Sequence, residues 1–272
     1  MRIPQIGAVW LAFCLLVACA PASARPCDEF FARLPNVSWA LCNAAQLQAS
    51  DANSVKGRTI YTSTISPSQP GARVLVIGGI HGDELSSASM ALHWIRYAQQ
   101  SPNNVQWKFI PALNPDGLFS QPAKRVNANG VDLNRNFPTS DWDKNALSYW
   151  ETKTRKDPRR WPGKQALSEP ESQFLFEEIQ RFKPNLIVSI HAPYGVLDFD
   201  GPAEPPRQLG RLILNPVGIF PGSLGNYGGL HKGMPVVTIE LPSATLTPRN
   251  VEMERMWRDL HQWMGGALAH NN

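Results

Sequence analysis

The chain has 272 residues, 43% of them hydrophobic and 18% charged, an ordinary globular composition at about the length of one large domain. Lysine and arginine outnumber aspartate and glutamate by 26 to 22. The resulting charge of +4, with no basic run interleaved with aromatics, argues against nucleic-acid binding. No fixed-period repeat is visible and no long linker divides the chain, so a solenoid and a two-domain layout are both disfavoured.

The N-terminus has the pattern of an export signal: Arg2, an apolar stretch over residues 6–19, then the small-x-small sequence Ala22-Ser23-Ala24. The apolar run is short for a membrane span. This reading gives a signal over residues 1–24, one folded domain over 25–272, and a periplasmic or envelope-associated protein. Leu16-Val17-Ala18-Cys19 resembles a lipobox, which would instead end the signal before Cys19 and leave a lipid anchor there as the one contact with a membrane. Outside the signal the cysteines are Cys27 and Cys42. In an oxidising compartment an isolated pair reads as a disulfide, and closing so short a loop stabilises by roughly 3 kcal/mol on the chain-entropy model.

Residues 73–80 (RVLVIGGI) form a continuous β-branched run closed by glycines, the pattern of a buried parallel strand. A helix over 86–100 follows, ending before Pro102, and then a strand over 105–110 stopped by Pro111. Residues 128–163 read as a long irregular loop with Trp142, Trp150 and Trp161, and loops of that length are more often functional than idle. Within it, residues 153–160 (KTRKDPRR) concentrate positive charge. They fit a solvated loop, or a patch facing an anionic partner such as peptidoglycan or a membrane surface. Ser168-Glu169-Pro170-Glu171 reads as a capping box opening a helix to Phe182. Residues 186–190 (LIVSI) and 236–241 (VVTIEL) are further core strands, and 250–268 a closing amphipathic helix. Strands alternating with helices predict an α/β domain with a mostly parallel mixed sheet flanked by helices. Functional groups in such sheets gather at the carboxyl ends of strands.

The polar residues that carry chemistry fall at those ends. His81 and Glu84 form an H-x-x-E pair after the first strand, and His191 closes the LIVSI strand. Two imidazoles and a carboxylate suit a catalytic zinc site with one position open. Glu240 ends another strand, placed for acid–base work. The turn over 125–138 (RVNANGVDLNRNFP) brings together Arg125, Asn134 and Arg135. Guanidinium and amide make a clamp for a carboxylate, and a second guanidinium can stabilise an oxyanion. Asp132 leaves a plainer alternative, a structural ion pair with Arg125 or Arg135.

Together these segments resemble the zinc carboxypeptidase family. The resemblance runs through GIHGDE ending at Glu84, NPDG over 114–117, the 125–138 turn, SIH over 189–191 and TIEL over 238–241. It implies one Zn2+ per chain held by His81, Glu84 and His191. It also implies a carbonyl-polarising role for Arg125, a carboxylate clamp of Asn134 and Arg135, and a catalytic role for Glu240. Asp83 lies inside the motif without matching a ligand. The compact 125–138 turn is similar to bacterial members, and the mobile tyrosine of the digestive members has no clear match. Tyr227, in PGSLGNYGG over 221–229, is the candidate that lies in the corresponding region, as a substrate contact or a pocket-lining residue.

Residues 221–227, Glu240-Leu241-Pro242 and His191-Ala192-Pro193 look like the murein peptide amidase branch of that family, which cuts the γ-D-glutamyl–diaminopimelate bond. This implies a short, murein-derived peptide as substrate, with Ser223, Asn226 and Tyr227 reaching the far end of diaminopimelate. Two other readings stay open: an amidohydrolase of the aspartoacylase or succinylglutamate-desuccinylase kind, and a non-catalytic cell-wall-binding protein on a peptidase scaffold. Of the remaining histidines, His93 and His261 fall in predicted helices, His270 in the tail and His231 in a loop.

Overall fold

The computed structural model describes residues 26–69, 71–101 and 104–268. The expected export signal, Cys19 and His270 lie outside them. The chain begins with helices α1 (Pro26–Arg33) and α2 (Trp39–Ala44), followed by strands β1 (Gln48–Asn53), β2 (Thr59–Ile65) and β3 (Arg73–Ile77). Helix α3 (Leu85–Gln100), strand β4 (Gln106–Ile110), and helices α4 (Pro115–Phe119), α5 (Trp142–Thr152) and α6 (Pro170–Phe182) come next. The second half holds β5 (Leu186–His191), β6 (Val196–Asp200), β7 (Gln208–Leu209), β8 (Leu212–Ile213), β9 (Val236–Glu240) and α7 (Asn250–Ala267).

Seven strands form one sheet in the order β1-β2-β4-β3-β5-β9-β6. The inner strands β4, β3, β5 and β9 are mutually parallel, whereas β1 on β2, β2 on β4 and β6 on β9 pair antiparallel. The sheet is therefore mixed, with a parallel centre and antiparallel flanks. The predicted strands are the four inner ones: burial on both faces makes β3 and β5 nearly continuously apolar, whereas β4 (QWKFI) alternates between buried and half-buried positions. Strands β1 (QASDAN) and β6 (VLDFD) carry polar residues, and β2 (TIYTSTI) is rich in threonine and serine, so no apolar run marks them.

Alternation along the inner strands feeds two cores. Val74, Val76, Val188 and Ile239 face a layer containing α3 and α7, where Trp257 packs its ring 5.2 Å from Trp94 and 4.6 Å from Trp107. Leu75, Ile77, Ile187 and Val236 face the other layer, with Phe174, Leu175 and Ile179 of α6 and with Phe137 and Tyr227. His261 of α7 packs edge-on against Trp257 and tilted against Trp107, and His93 of α3 bonds the Asn36 carbonyl, so both serve packing. Cys27 of α1 and Cys42 of α2 are joined by a disulfide, and Cys42 is fully buried in the first core.

Two local expectations need correction. Residues 128–163 contain α5 and two 3-10 turns, Leu133–Arg135 and Pro158–Arg160, and are not irregular throughout. Helix α5 buries only Trp142 and Ala146, too few apolar positions to announce a helix in sequence. Ser168 does not cap α6: its hydroxyl donates to Glu169, and Glu171 accepts from the Val55 amide and from Asn127. Pro170 does occupy the first turn.

Candidate metal centre and its cavity

The site is assembled where the parallel strands end. His81 follows β3 on a turn whose backbone lies against the start of α4. A Cβ at Gly82 would sit 2.3 Å from the Gly117 carbonyl carbon, so no side chain fits at that crossing. The Gly82 amide and the Asn114 side chain both donate to the Arg125 carbonyl, at 3.2 and 3.0 Å. These bonds tie the His81 turn, the NPDG segment and Arg125 into one unit. Glu84 sits at the N-terminus of α3, and His191 is the last residue of β5.

His81, Glu84 and His191 are all buried, and their ligand atoms lie within 4.8 Å of one another. Glu84 Oε1 is 2.8 Å from His81 Nδ1 and Oε2 is 3.1 Å from His191 Nδ1. The two Nδ1 atoms face each other at 3.1 Å, while the outer nitrogens are engaged elsewhere. His81 Nε2 bonds Asp132 Oδ1 at 3.1 Å, and His191 Nε2 bonds the Ser189 hydroxyl at 2.9 Å. A proton on each Nε2 satisfies those partners and turns both Nδ1 lone pairs, with a carboxylate, toward one point. That donor set, with a carboxylate behind an imidazole, fits a catalytic zinc ion. Burial and the Arg125 charge oppose protonation of His81, but Glu84 and Asp132 outweigh them and raise its pKa. Burial likewise works against the Glu84 charge, yet the two histidines hold its carboxyl well below the usual range.

Asp132 organises two neighbours at once. Besides His81 it accepts from Arg125 Nε and Nη2, both at 3.1 Å, and from the Asn134 amide at 3.0 Å. The structural ion pair weighed from sequence is thus real, and it aims Arg125 at the site, with Nη1 3.5 Å from Glu84 Oε1. The sequence offered Asp132 only as an ion-pair partner. Its bond to His81 had no signal in the motif spacing.

A cavity of about 550 Å³ opens on this group and is lined by Arg125, Asn134, Arg135 and Glu240 as well as the three candidate ligands. Arg135 is buried, donates to the Asn134 carbonyl at 2.6 Å and stacks its guanidinium 4.2 Å from the Phe220 ring centre. Asn134 uses its side-chain oxygen to accept from the Leu224 amide at 2.8 Å. Trp142 of α5 holds the Arg135 carbonyl at 2.9 Å. Glu240 ends β9 and is raised by burial above the ordinary glutamate value, against the pull of His191. The sequence missed Tyr194, Asp198, Asp200 and Phe220 and offered Arg160 only within the basic 153–160 segment; all five line the cavity. They come from loops and a polar strand that no motif marks. A larger groove of about 1100 Å³ lies between residues 202–208 and α7, but none of the motif residues lines it.

The structure corrects the expectation for Tyr227. Its ring is fully buried between Phe137 and Phe176, in a π-helical turn over Asn226–His231, and its hydroxyl accepts from Gln180 at 2.9 Å. It lines no part of the cavity. Asn226 also turns away, donating to the Phe220 carbonyl at 3.1 Å, whereas Ser223 stays on the cavity wall. The glycine-rich sequence suggested an open loop. Instead, close backbone approach requires those glycines: Gly222 has φ +74°, and a Cβ there would lie 2.0 Å from the Arg135 carbonyl oxygen.

The zinc carboxypeptidase family model matches residues 47–199, more than half of the chain. The chain belongs to the zinc carboxypeptidase family. This zinc carboxypeptidase is a hydrolase, as its family is, and its His-Glu-His group is positioned to bind a metal. It is 32% identical over 185 residues to murein peptide amidase A of Vibrio campbellii, covering 65% of this chain and 73% of that protein. It is 34% identical over 178 residues to murein peptide amidase A of Escherichia coli strain K12, covering 62% and 70%. Among solved structures, the murein-tripeptide amidase of Escherichia coli O157 superposes with a TM-score of 0.58 at 25% identity, covering 86% of this chain and 96% of that one. Carboxypeptidase A of Helicoverpa armigera shares the fold, with a TM-score of 0.61 at 19% identity over 81% of this chain and 69% of that one.

Proposed function

We propose that this zinc carboxypeptidase is an exported enzyme that hydrolyses the γ-D-glutamyl–diaminopimelate bond of short murein peptides. The observation that carries the reading is the placement of Glu240, Arg125 and Arg135 in one cavity around the convergent His81, Glu84 and His191. Murein peptide amidases as relatives supply the substrate class. The signal pattern over residues 1–24 and the Cys27–Cys42 pair support export.

His81, Glu84 and His191 would hold one zinc ion, which when bound supplies Lewis acidity and lowers the pKa of water. Arg135 and Asn134 bind the free carboxylate of the residue to be released, and the Phe220 ring keeps the Arg135 guanidinium planar to it. That contact sets the scissile carbonyl beside Arg125. Arg125 donates to the carbonyl oxygen as negative charge develops there. Glu240 removes a proton from the attacking water and delivers it to the leaving amine. Burial raises its pKa, which strengthens it as the base that takes the proton from water.

Incubating the purified, zinc-loaded protein with L-Ala-γ-D-Glu-diaminopimelate and reading products by mass spectrometry tests the proposal. Free diaminopimelate and L-Ala-D-Glu are expected. Removal of ordinary C-terminal L-residues, with the murein tripeptide left intact, contradicts the substrate while leaving the peptidase chemistry standing. Cleavage of acyl amino acids alone would favour the aspartoacylase-like alternative.

A further inference from the structure

The basic segment at residues 153–160 is solvated over much of its length, with Lys153, Arg155 and Lys156 exposed, but its last residues turn toward the site. Helix α5 ends at Thr152, and the chain returns through the 3-10 turn Pro158–Arg160 to the mouth of the metal centre. Asp157 caps that turn, accepting from the Arg159 amide at 2.9 Å, and its backbone carbonyl is held by Trp150 at 2.7 Å. The turn thus delivers two adjacent guanidiniums to a fixed place. Arg159 bonds Asp83, inside the GIHGDE motif, at 2.7 Å. Arg160 has only Asp157 as an anion partner among the described residues, at 3.5 Å, and lines the main cavity.

A second, smaller cavity of about 170 Å³ adjoins the first. Arg159 lines it, and it shares Glu84, Arg125, Arg160 and Tyr194 with the main cavity. Arg135 and Asp198 line the main cavity only. Glu84, Arg125 and Arg160 therefore stand at the junction of the two compartments. If Arg135 holds the carboxylate of the departing residue, the smaller compartment receives the acyl side of the scissile bond. Three guanidiniums, Arg125, Arg159 and Arg160, line it against two carboxylates, Asp83 and Glu84, and Arg160 has only its 3.5 Å contact with Asp157. Arg125, Arg135 and Arg160 all line the main cavity, and burial, with smaller contributions from Arg125 and Arg160 against Asp132, lowers the Arg135 pKa to about 10.

We propose that Arg160, positioned with Arg159 by the 3-10 turn, forms a second anion subsite that binds a carboxylate on the acyl side of the scissile bond. On the proposed function, on which this inference rests, the ligand is the free α-carboxylate of the γ-linked D-glutamyl residue. A γ-linkage leaves that carboxylate unblocked at the other end of the residue's own carbon chain. An ordinary α-linked residue has its α-carboxyl consumed in the scissile amide and offers charge only when its side chain is acidic. Two anion sites flanking one metal centre thus read both the released residue and the unusual linkage. A charge-assisted bond to a partly desolvated guanidinium is the contact expected to discriminate.

Steady-state kinetics on two peptides test this: L-Ala-γ-D-Glu-diaminopimelate and the same peptide with D-isoglutamine, whose α-carboxylate is a carboxamide. The wild-type enzyme is expected to favour the acid by about tenfold in kcat/KM, the value of one such charged contact. Arg160→Gln should lower kcat/KM for the acid and leave the amide nearly unchanged, bringing the ratio close to one. Arg160→Lys should restore part of the preference, since charge returns without the planar fork. A purely structural role for Arg160 would lower both peptides alike. Equal rates for the two peptides in the wild type, or an undiminished preference in Arg160→Gln, would overturn the subsite alone. Failure to cleave either peptide would overturn the murein reading and the subsite with it.

Discussion

His191 and Glu240 are register partners at the carboxyl ends of adjacent parallel strands, β5 and β9. The sheet therefore fixes a candidate ligand and the candidate base side by side, without depending on any loop. Val196 of β6 pairs with Glu240 from the other side, and the Tyr194 amide approaches its Oε2 at 3.5 Å. Rigid elements hold both residues, as a site that must position a proton requires.

Replacement of Glu240 by glutamine should separate binding from chemistry. The side chain keeps its shape but cannot take a proton, so kcat should fall by at least about a hundredfold, the low end for general base catalysis. KM and the circular dichroism spectrum should stay near wild type. Near-normal turnover would remove Glu240 from the mechanism.

Asp132 acts through its neighbours. Asp132→Asn should keep the bond to the Asn134 amide but weaken the orientation of His81 and release Arg125. Zinc affinity, measured by competition with a chromogenic chelator, should fall by roughly 10–100-fold, the usual consequence of losing a partner behind a ligand. An unchanged affinity would show that Asp132 serves Arg125 alone.

Tyr227→Phe should leave catalysis intact. The variant removes a buried hydroxyl and its bond from Gln180, at a cost of about 1 kcal/mol in urea denaturation. A large loss of kcat on the murein tripeptide would mean that the hydroxyl reaches substrate in a rearranged state.

Asp200 predicts a pH dependence of stability. It lies beside Asp198 on the cavity wall, and burial together with that neighbouring charge pushes its pKa up to about 6. The folded state therefore holds a proton that the unfolded chain, with an aspartate near 3.9, has released, and stability falls as pH rises from about 4 to 6. Asp200→Asn should be more stable than wild type at pH 7, by up to about 2 kcal/mol, and no different at pH 4. Thermal melts across that range check the sign. A variant less stable at pH 7 would show that the carboxylate is paired.

The parallel centre of the sheet was legible because strands buried on both faces are written in valine, isoleucine and leucine, as in Leu186–Ile190. The candidate metal ligands were legible because they fall at the ends of those strands in a distinctive order. What stayed hidden is held together by contacts that span the chain. Arg160 reaches the centre only because Trp150 and Asp157 fold the segment after α5 back, and neither residue is part of a motif. Tyr227 misled in the opposite direction. Its glycine-rich surroundings suggested room, whereas the glycines permit dense packing against Arg135 and Asp200. Asp198 and Asp200 were invisible because two aspartates in an edge strand read as surface.

Zinc content per chain, measured by inductively coupled plasma mass spectrometry on purified wild type, Glu84→Ala and Glu240→Gln, decides whether the His81, Glu84 and His191 group is a metal centre. Glu84 is a candidate ligand and Glu240 is not, although both are buried carboxylates facing the same cavity. One zinc per chain is expected in wild type and in Glu240→Gln, with almost none in Glu84→Ala, because two histidines leave too few ligands for a catalytic site. A wild-type protein that takes up no zinc, or a Glu84→Ala variant that keeps one tightly bound ion while Glu240→Gln loses it, would contradict the assignment of the metal centre.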